Sequence, residues 1–301
     1  MIKFRTGTAL KALLLLLLIG ACPGWAGFEE QVGTTRMDWQ SRQITATWQE
    51  SGTVDFQNGG RLSLGMRKRQ ARLQVRKILW EGLLQVRVEG EQSVADVVHD
   101  RPQSWRALRA LVNSSPVEFM PWQHTSTQGT KKRLECRARL LLTGRVASIC
   151  IPASIWYASP ELAVSAVNAT LERTSRPWTG LVVDARALEG KPALLCRLYD
   201  RQGRLVYGPS MLSREVGLTR GMAVYASTYE EALATTRAGN APLQVRAVST
   251  HGNSPTEFVL QQEDLLDFWV AEGLQVLRQA KVVILLHQEE EANVREYSLE
   301  E

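Results

Sequence analysis

Seven basic residues, Arg61, Arg67, Lys68, Arg69, Arg72, Arg76 and Lys77, follow one another without an intervening acid. Arg69, Arg72 and Arg76 recur at spacings of three and four, which on a helix sets them along one stripe. Such a stripe can meet anionic lipid headgroups, an acidic protein surface or a polyanionic glycan. It can equally be a solvated face whose arginine stems cover apolar surface, and both readings stay open. The candidate anionic-partner surface is therefore Arg67, Lys68, Arg69, Arg72 and Arg76.

The cysteines are Cys22, Cys136, Cys150 and Cys196. A three-residue hairpin loop at Leu142–Gly144, with glycine in the left-handed position, would set Cys136 opposite Cys150 for a disulfide. An oxidising compartment permits that bond, and two buried free thiols are the other reading. Cys196 lies in an apolar run and reads as core. There is no CxxC or Cys/His ligand spacing, so neither a zinc site nor any other cofactor is expected. The histidines, His99, His124, His251 and His287, are scattered. Asp184 and Arg186 follow the apolar run Leu181-Val182-Val183. In α/β proteins a strand end of that kind carries functional groups, while the plain alternative is a salt bridge. GxSxG, HExxH, Walker and GxGxxG patterns do not occur, and no catalytic activity is expected.

The elements that hold these residues read as follows. Met37–Trp39 and Ile44–Trp48 alternate as two short strands around a polar turn, and Val54 and Phe56 extend the sheet. From Leu62 to Val88 the apolar residues Leu64, Ala71, Val75, Ile78, Leu79 and Val86 recur at helical spacing. A second helix is predicted over Ser104–Val112, then strands at Val117–Met120 and Lys132–Leu142. Pro160–Arg173 reads as a helix with proline in its first turn. Beyond it lie the Gly180–Asp184 strand, a hairpin turning at Asp200-Arg201-Gln202-Gly203, and a strand at Met222–Tyr225. A capping box at Ser227-x-x-Glu230 starts a short helix ended by Gly239. Strands at Leu243–Val248 and Phe258–Leu260, a helix over Glu263–Arg278 and a last strand at Lys281–Leu286 complete the order. Trp39, Trp48, Trp80, Trp105 and Trp269 fall at core-facing positions. Trp122, Trp156 and Trp178 fall in or near loops, where an indole either packs or marks a binding edge.

The chain's beginning carries an address. Lys3, Arg5 and Lys11 flank a short apolar core, Ala12 to Ile19, with small residues after it. That is the layout of a secretory signal peptide over residues 1–26, and the core is too short to span a bilayer. Two processing readings remain. Ile19-Gly20-Ala21-Cys22 resembles a lipobox and would make Cys22 a lipid-modified first residue, anchoring the chain at the outer membrane. Cleavage after Ala26 would leave it free in the periplasm, which is the expected location. Removing the leader leaves 33 bases against 31 acids. Near-neutral charge together with export argues against nucleic acid.

The expected architecture is α+β: two small α+β domains after a signal peptide, joined by a helical linker. The first domain spans residues 27–157, the linker 158–178, the second domain 179–287, and a disordered acidic tail 288–301.

Asp38-Trp39, the Ile44-x-Ala46 strand and the long basic helix resemble the N-terminal domain shared by flagellar-assembly T proteins and the lipoprotein-twenty family. In the second half, Thr179-Gly180-Leu-Val-Val-Asp184-Ala-Arg186, Arg197-x-Tyr199-Asp200-x-x-Gly203, Val206-Tyr207-Gly208 and Lys281-Val-Val-Ile resemble uncharacterised envelope proteins of that group. The resemblance implies a non-catalytic cell-envelope protein with a structural or assembly role. Its partners would be other envelope proteins, with self-association and a flagellar setting both in keeping with it. Membrane contact would come only through the lipid anchor or the basic helix face. The alternative from another class is a periplasmic module holding a small ligand or glycan at Trp156, Trp178 and Arg186. A hydrolase would need a convergent cluster of histidines or carboxylates.

Overall fold

The computed structural model describes residues 28–50, 54–55, 63–120, 123–124, 131–157, 178–261 and 273–288. The leader with Cys22, Arg61, Trp122, nearly all of the linker, Trp269 and the acidic tail after Gln288 lie outside the described residues.

The N-terminal half is built on a five-stranded antiparallel sheet. Its strands are β1 (Glu29–Val32), β2 (Thr35–Asp38), β3 (Gln43–Gln49), β7 (Val117–Phe119) and β10 (Glu135–Leu141), in the order β1-β2-β3-β10-β7. Two-residue alternation divides its faces. Ile44, Ala46, Cys136 and Ala138 point into the core, whereas Arg137 and Arg139 point out opposite Thr47 and Thr45. Short strands β4 (Val54–Asp55), β8 (Gln123–His124) and β9 (Lys131–Arg133) pair separately, and β5 (Arg87–Glu89) with β6 (Gln92–Ser93) makes a small hairpin.

Helix α1 (Leu64–Gln85) covers the inner face with Ala71, Val75, Leu79, Gly82 and Leu83. Ser63 caps it, accepting from the Met66 amide. Gly82 lets α1 lie directly on β2, because a methyl group there would overlap the Thr35 side chain. Helices α2 (Val94–Val98) and α3 (Pro102–Ser114) follow, the first opened by a Ser93/Asp96 capping box and the second by proline in its first turn. The return strand expected after Gly144 is absent. Gly144 takes φ 60°, as expected, but Arg145–Cys150 coils into helix α4, followed by a 3₁₀ turn at Ala153–Tyr157.

The C-terminal half holds a seven-stranded mixed sheet. Its strands are β11 (Leu181–Asp184), β12 (Arg197–Tyr199), β13 (Leu205–Tyr207), β14 (Val224–Ala226), β15 (Leu243–His251), β16 (Ser254–Leu260) and β17 (Val282–Leu285), in the order β13-β12-β16-β15-β11-β17-β14. β11 runs parallel to both β15 and β17, and β14 parallel to β17. Strands buried on both faces read as unbroken apolar runs, which accounts for Leu181-Val182-Val183 and Val282-Val283-Ile284. Val182, Val283 and Ala226 pack with Ala232 of helix α6 (Tyr229–Ala234) on one face. Leu181, Val183 and Ile284 join the main core on the other. Helices α5 (Arg214–Arg220) and α7 (Gly273–Arg278) complete the half. The capping box of α6 sits one residue later than expected, with Thr228 as cap and Glu231 as its partner. Both halves mix helices and sheets, so the fold is α+β.

The two halves share one hydrophobic core. Trp39 meets Tyr225 edge-on at 5.7 Å, and Phe28 lies 6.4 Å from the same ring. The Leu194 and Leu195 amides bond to the Arg87 and Val88 carbonyls, at 3.1 and 2.8 Å, so the run before β12 adds backbone pairing to β5.

Candidate functional site

The polar groups at the seam between the halves come first. Asp38 Oδ1 accepts from the Gln40 and Ser41 amides at 2.8 and 3.0 Å, an Asx turn that pins the loop after β2. The turn holds Arg42 at φ 54°, a conformation uncommon for a non-glycine residue, and carries its side chain into the other half. There Arg42 donates to the Ala223 carbonyl. Arg237 reaches the same place and donates to the Arg220 and Gly221 carbonyls, both at 2.8 Å. Arg237 thus closes the C-terminal end of α5, where unpaired carbonyls and the helix dipole favour a cation, and Arg42 holds the chain just beyond it at the start of β14. Only 6% of Arg42 and 7% of Arg237 is exposed. Burial lowers the pKa of each, Arg237 to about 10 with help from the neighbouring Arg42 charge. A second clasp joins β5 to the far sheet. Arg197 pairs with Glu89 and with Glu257 at 3.1 Å, and the Gly90 amide donates to Thr256 Oγ1 at 2.8 Å.

His251 belongs to this clasp. Its Nδ1 lies 3.5 Å from Glu257 Oε2, and its ring stacks on Tyr199 at 3.9 Å. Nucleophile, base and orienting acid would need to converge for hydrolysis. Here the Glu257 carboxylate is shared with Arg197, and the histidine is held by stacking.

Asp184 and Arg186 do stand at the carboxyl end of β11, beside a depression of about 630 Å³ lined also by Ala187, Gln244, Val245 and Arg246. They face each other: Arg186 Nε and Nη2 donate to the two Asp184 oxygens at 2.9 and 2.7 Å. The guanidinium's hydrogen bonds hold the Asp184 carboxyl below its ordinary range and raise Arg186. This is the salt-bridge reading.

Trp156, Trp178 and Arg186 do not form one concave site. Trp156 is buried against Gly217 of α5, where a methyl group would overlap its ring, and Trp178 is half-buried against the core. Of the two readings of Cys136 and Cys150 the structure has the buried free thiols and not the disulfide, because Cys150 lies on α4 and not on a strand paired with β10; Cys196 is free and buried as well. Burial raises Cys136 to about 11 and the other two to about 12, so none is a ready nucleophile.

The basic stripe divides into three environments. Arg67 leaves the candidate surface altogether: it is buried, and its Nε donates to Glu50 Oε1 at 3.1 Å. Lys68 and Arg72 roof the Phe119 ring, 5.3 and 5.0 Å from its centroid, and Arg76 donates to the Ser115 carbonyl at 2.8 Å. Arg69 alone of the five points straight outward, on a line with Met66, Leu73 and Lys77, all exposed. Trp105, expected in the core, is 38% exposed. It stacks edge-on against Trp80 at 4.9 Å, and Arg109 covers the other side of that ring.

Residues 180–288 match the family described as Treponema pallidum Tp0624, second domain. The match takes in β11 to β17 and leaves the N-terminal half uncovered. No curated protein matches the chain.

Proposed function

We propose that this chain is an exported, non-catalytic component of the bacterial cell envelope, with a structural or assembly role exercised through contacts with other envelope proteins. One observation carries the reading: among the described residues, Asp184, His251 and the three thiols are each held inside the fold, while His99 and His287 lie exposed and apart from them. Asp184 is held by Arg186, His251 by Glu257 and Tyr199, and the three thiols by burial. The polar groups at the seam fasten two halves together in place of lining a cleft. What then faces outward is surface for contact, which is what a scaffold offers its neighbours. Further support comes from the leader pattern of residues 1–26. Periplasmic residence is part of the proposal, with anchoring through Cys22 as its lipoprotein form. The N-terminal resemblance to flagellar-assembly T and lipoprotein-twenty proteins extends it to a flagellar setting.

Crosslinking in native cells, followed by identification of the captured proteins, tests the proposal. Envelope proteins are the expected catch, with flagellar basal-body components among them if the finer setting holds. Capture of cytosolic proteins by a chain that keeps residues 1–26 would overturn it.

A further inference from the structure

The charge of this protein is unevenly spread. Helices α1 and α3 together carry eight bases and one acid, Glu81, against a chain total of 36 bases and 31 acids. The two helices pack side by side through Trp80 and Trp105, with the end of α3 tied to Arg76. Past that tie the first turns of α1 are left open, and their outward line is Met66, Arg69, Leu73, Lys77, at spacings of three and four. Leu73 is 63% exposed and Met66 58%, although apolar side chains of this size are usually covered. Arg69 and Arg106 point outward with no acidic partner among the described residues, and Lys77 meets Glu81 only at 3.9 Å.

We infer that this α1/α3 face docks on an anionic phospholipid surface. Charge complementarity selects the partner's sign, and the intervening apolar tips select its kind. A bilayer interface takes long basic side chains at the headgroups and Met, Leu and Trp at the acyl boundary, which is the alternation on this face. Gln70 and Gln74 are exposed beside this line and could meet a glycan's hydroxyls, but neither they nor the arginines would cover the protruding Met66 and Leu73. An acidic protein would satisfy the arginines but leave Met66 and Leu73 needing a shaped apolar pocket. The protein thus lies along a membrane face with its long helix down, and no helix among the described residues is long and apolar enough to cross the bilayer. This goes beyond the assembly role proposed above and does not depend on it.

Co-sedimentation tests the inference, using the chain from Gly27 onward, which keeps every described residue and carries neither leader nor acyl group. The vesicles are phosphatidylglycerol/phosphatidylethanolamine in one arm and phosphatidylcholine in the other. Binding is expected in the first arm alone, weakening as salt rises from about 0.1 to about 0.5 M. The double variant R69E/R106E should lose at least about tenfold in partitioning, since each surface charge contributes roughly fivefold. M66S/L73S should lose about fivefold through its apolar contribution. All four side chains are exposed, so both variants should melt like the parent. Should a variant misfold, the salt titration of the parent still decides. Equal binding to both vesicle types, binding indifferent to salt, unaltered binding by both variants, or no binding at all would each overturn the inference. An unbound chain whose position 69, carrying a photo-crosslinker, captures an acidic protein in cells would assign the face to a protein partner.

Discussion

Arginine serves opposite ends in two regions of this molecule. At the seam, buried Arg237 donates to the carbonyls that end α5, buried Arg42 donates to the Ala223 carbonyl just beyond them, and Arg197 is shared by two glutamates from different halves. On the outer face of α1, Arg69 stands in solvent among exposed methionine and leucine. Guanidinium suits both places because it stays charged and forks toward several acceptors. Burial decides the outcome. A buried guanidinium fixes geometry through the acceptors that its Nη atoms reach, although the Nε of Arg42 and of Arg237 stays unpaired, whereas an exposed one is available to a partner. Arg67 and Arg69 make the contrast within a single turn of one helix.

The seam is most sensitive at Gly221. It takes φ 67°, and a methyl group there would collide with the Arg42 guanidinium. Gly221→Ala should cost about 4 kcal/mol in denaturant unfolding, roughly half from backbone strain and half from the collision. In an Arg42→Ala background the same substitution should cost only about 2 kcal/mol, the coupling being the part that belongs to the seam. Equal costs in both backgrounds would remove Arg42 from that role. At the other extreme, Arg69→Ala should shift stability by less than about 0.5 kcal/mol in the same assay, as expected for an outward side chain with no internal partner.

Long periodic segments were legible before any coordinates. The α1 helix follows from apolar recurrence over six turns, and the β12–β13 hairpin from the Asp200–Gly203 turn, where Asp200 accepts from Gln202 and Arg204. Short segments were not. Arg145–Cys150 holds too few residues to separate a helical period from a strand, so the sequence leaves both the cysteine hairpin and the free thiols open, and the helix decides for the thiols. Strand β1, Glu29–Val32, is mostly polar because it is an edge, and it offers no alternation to read. The apolar runs at Leu181 and Val282 announce burial on both faces, but not which strands will be neighbours. The seam was hidden for a related reason. Arg42 and Ala223 are 181 residues apart, and the only local signal was the Asp38 turn that aims the arginine. For the basic stripe, spacing placed the residues on one helix but not in their separate environments. It could not show that Arg67 would find Glu50, since that contact depends on where the β3 strand ends.

The two halves share one hydrophobic core and are clasped across the seam by Arg42 and by the Arg197–Glu89 pair, so they should unfold as one body. Differential scanning calorimetry of the chain from Gly27 onward measures this directly. One transition is expected, with calorimetric and van't Hoff enthalpies in agreement. Two separate transitions, or a fragment of residues 180–288 that melts at the same temperature alone as within the whole chain, would contradict it.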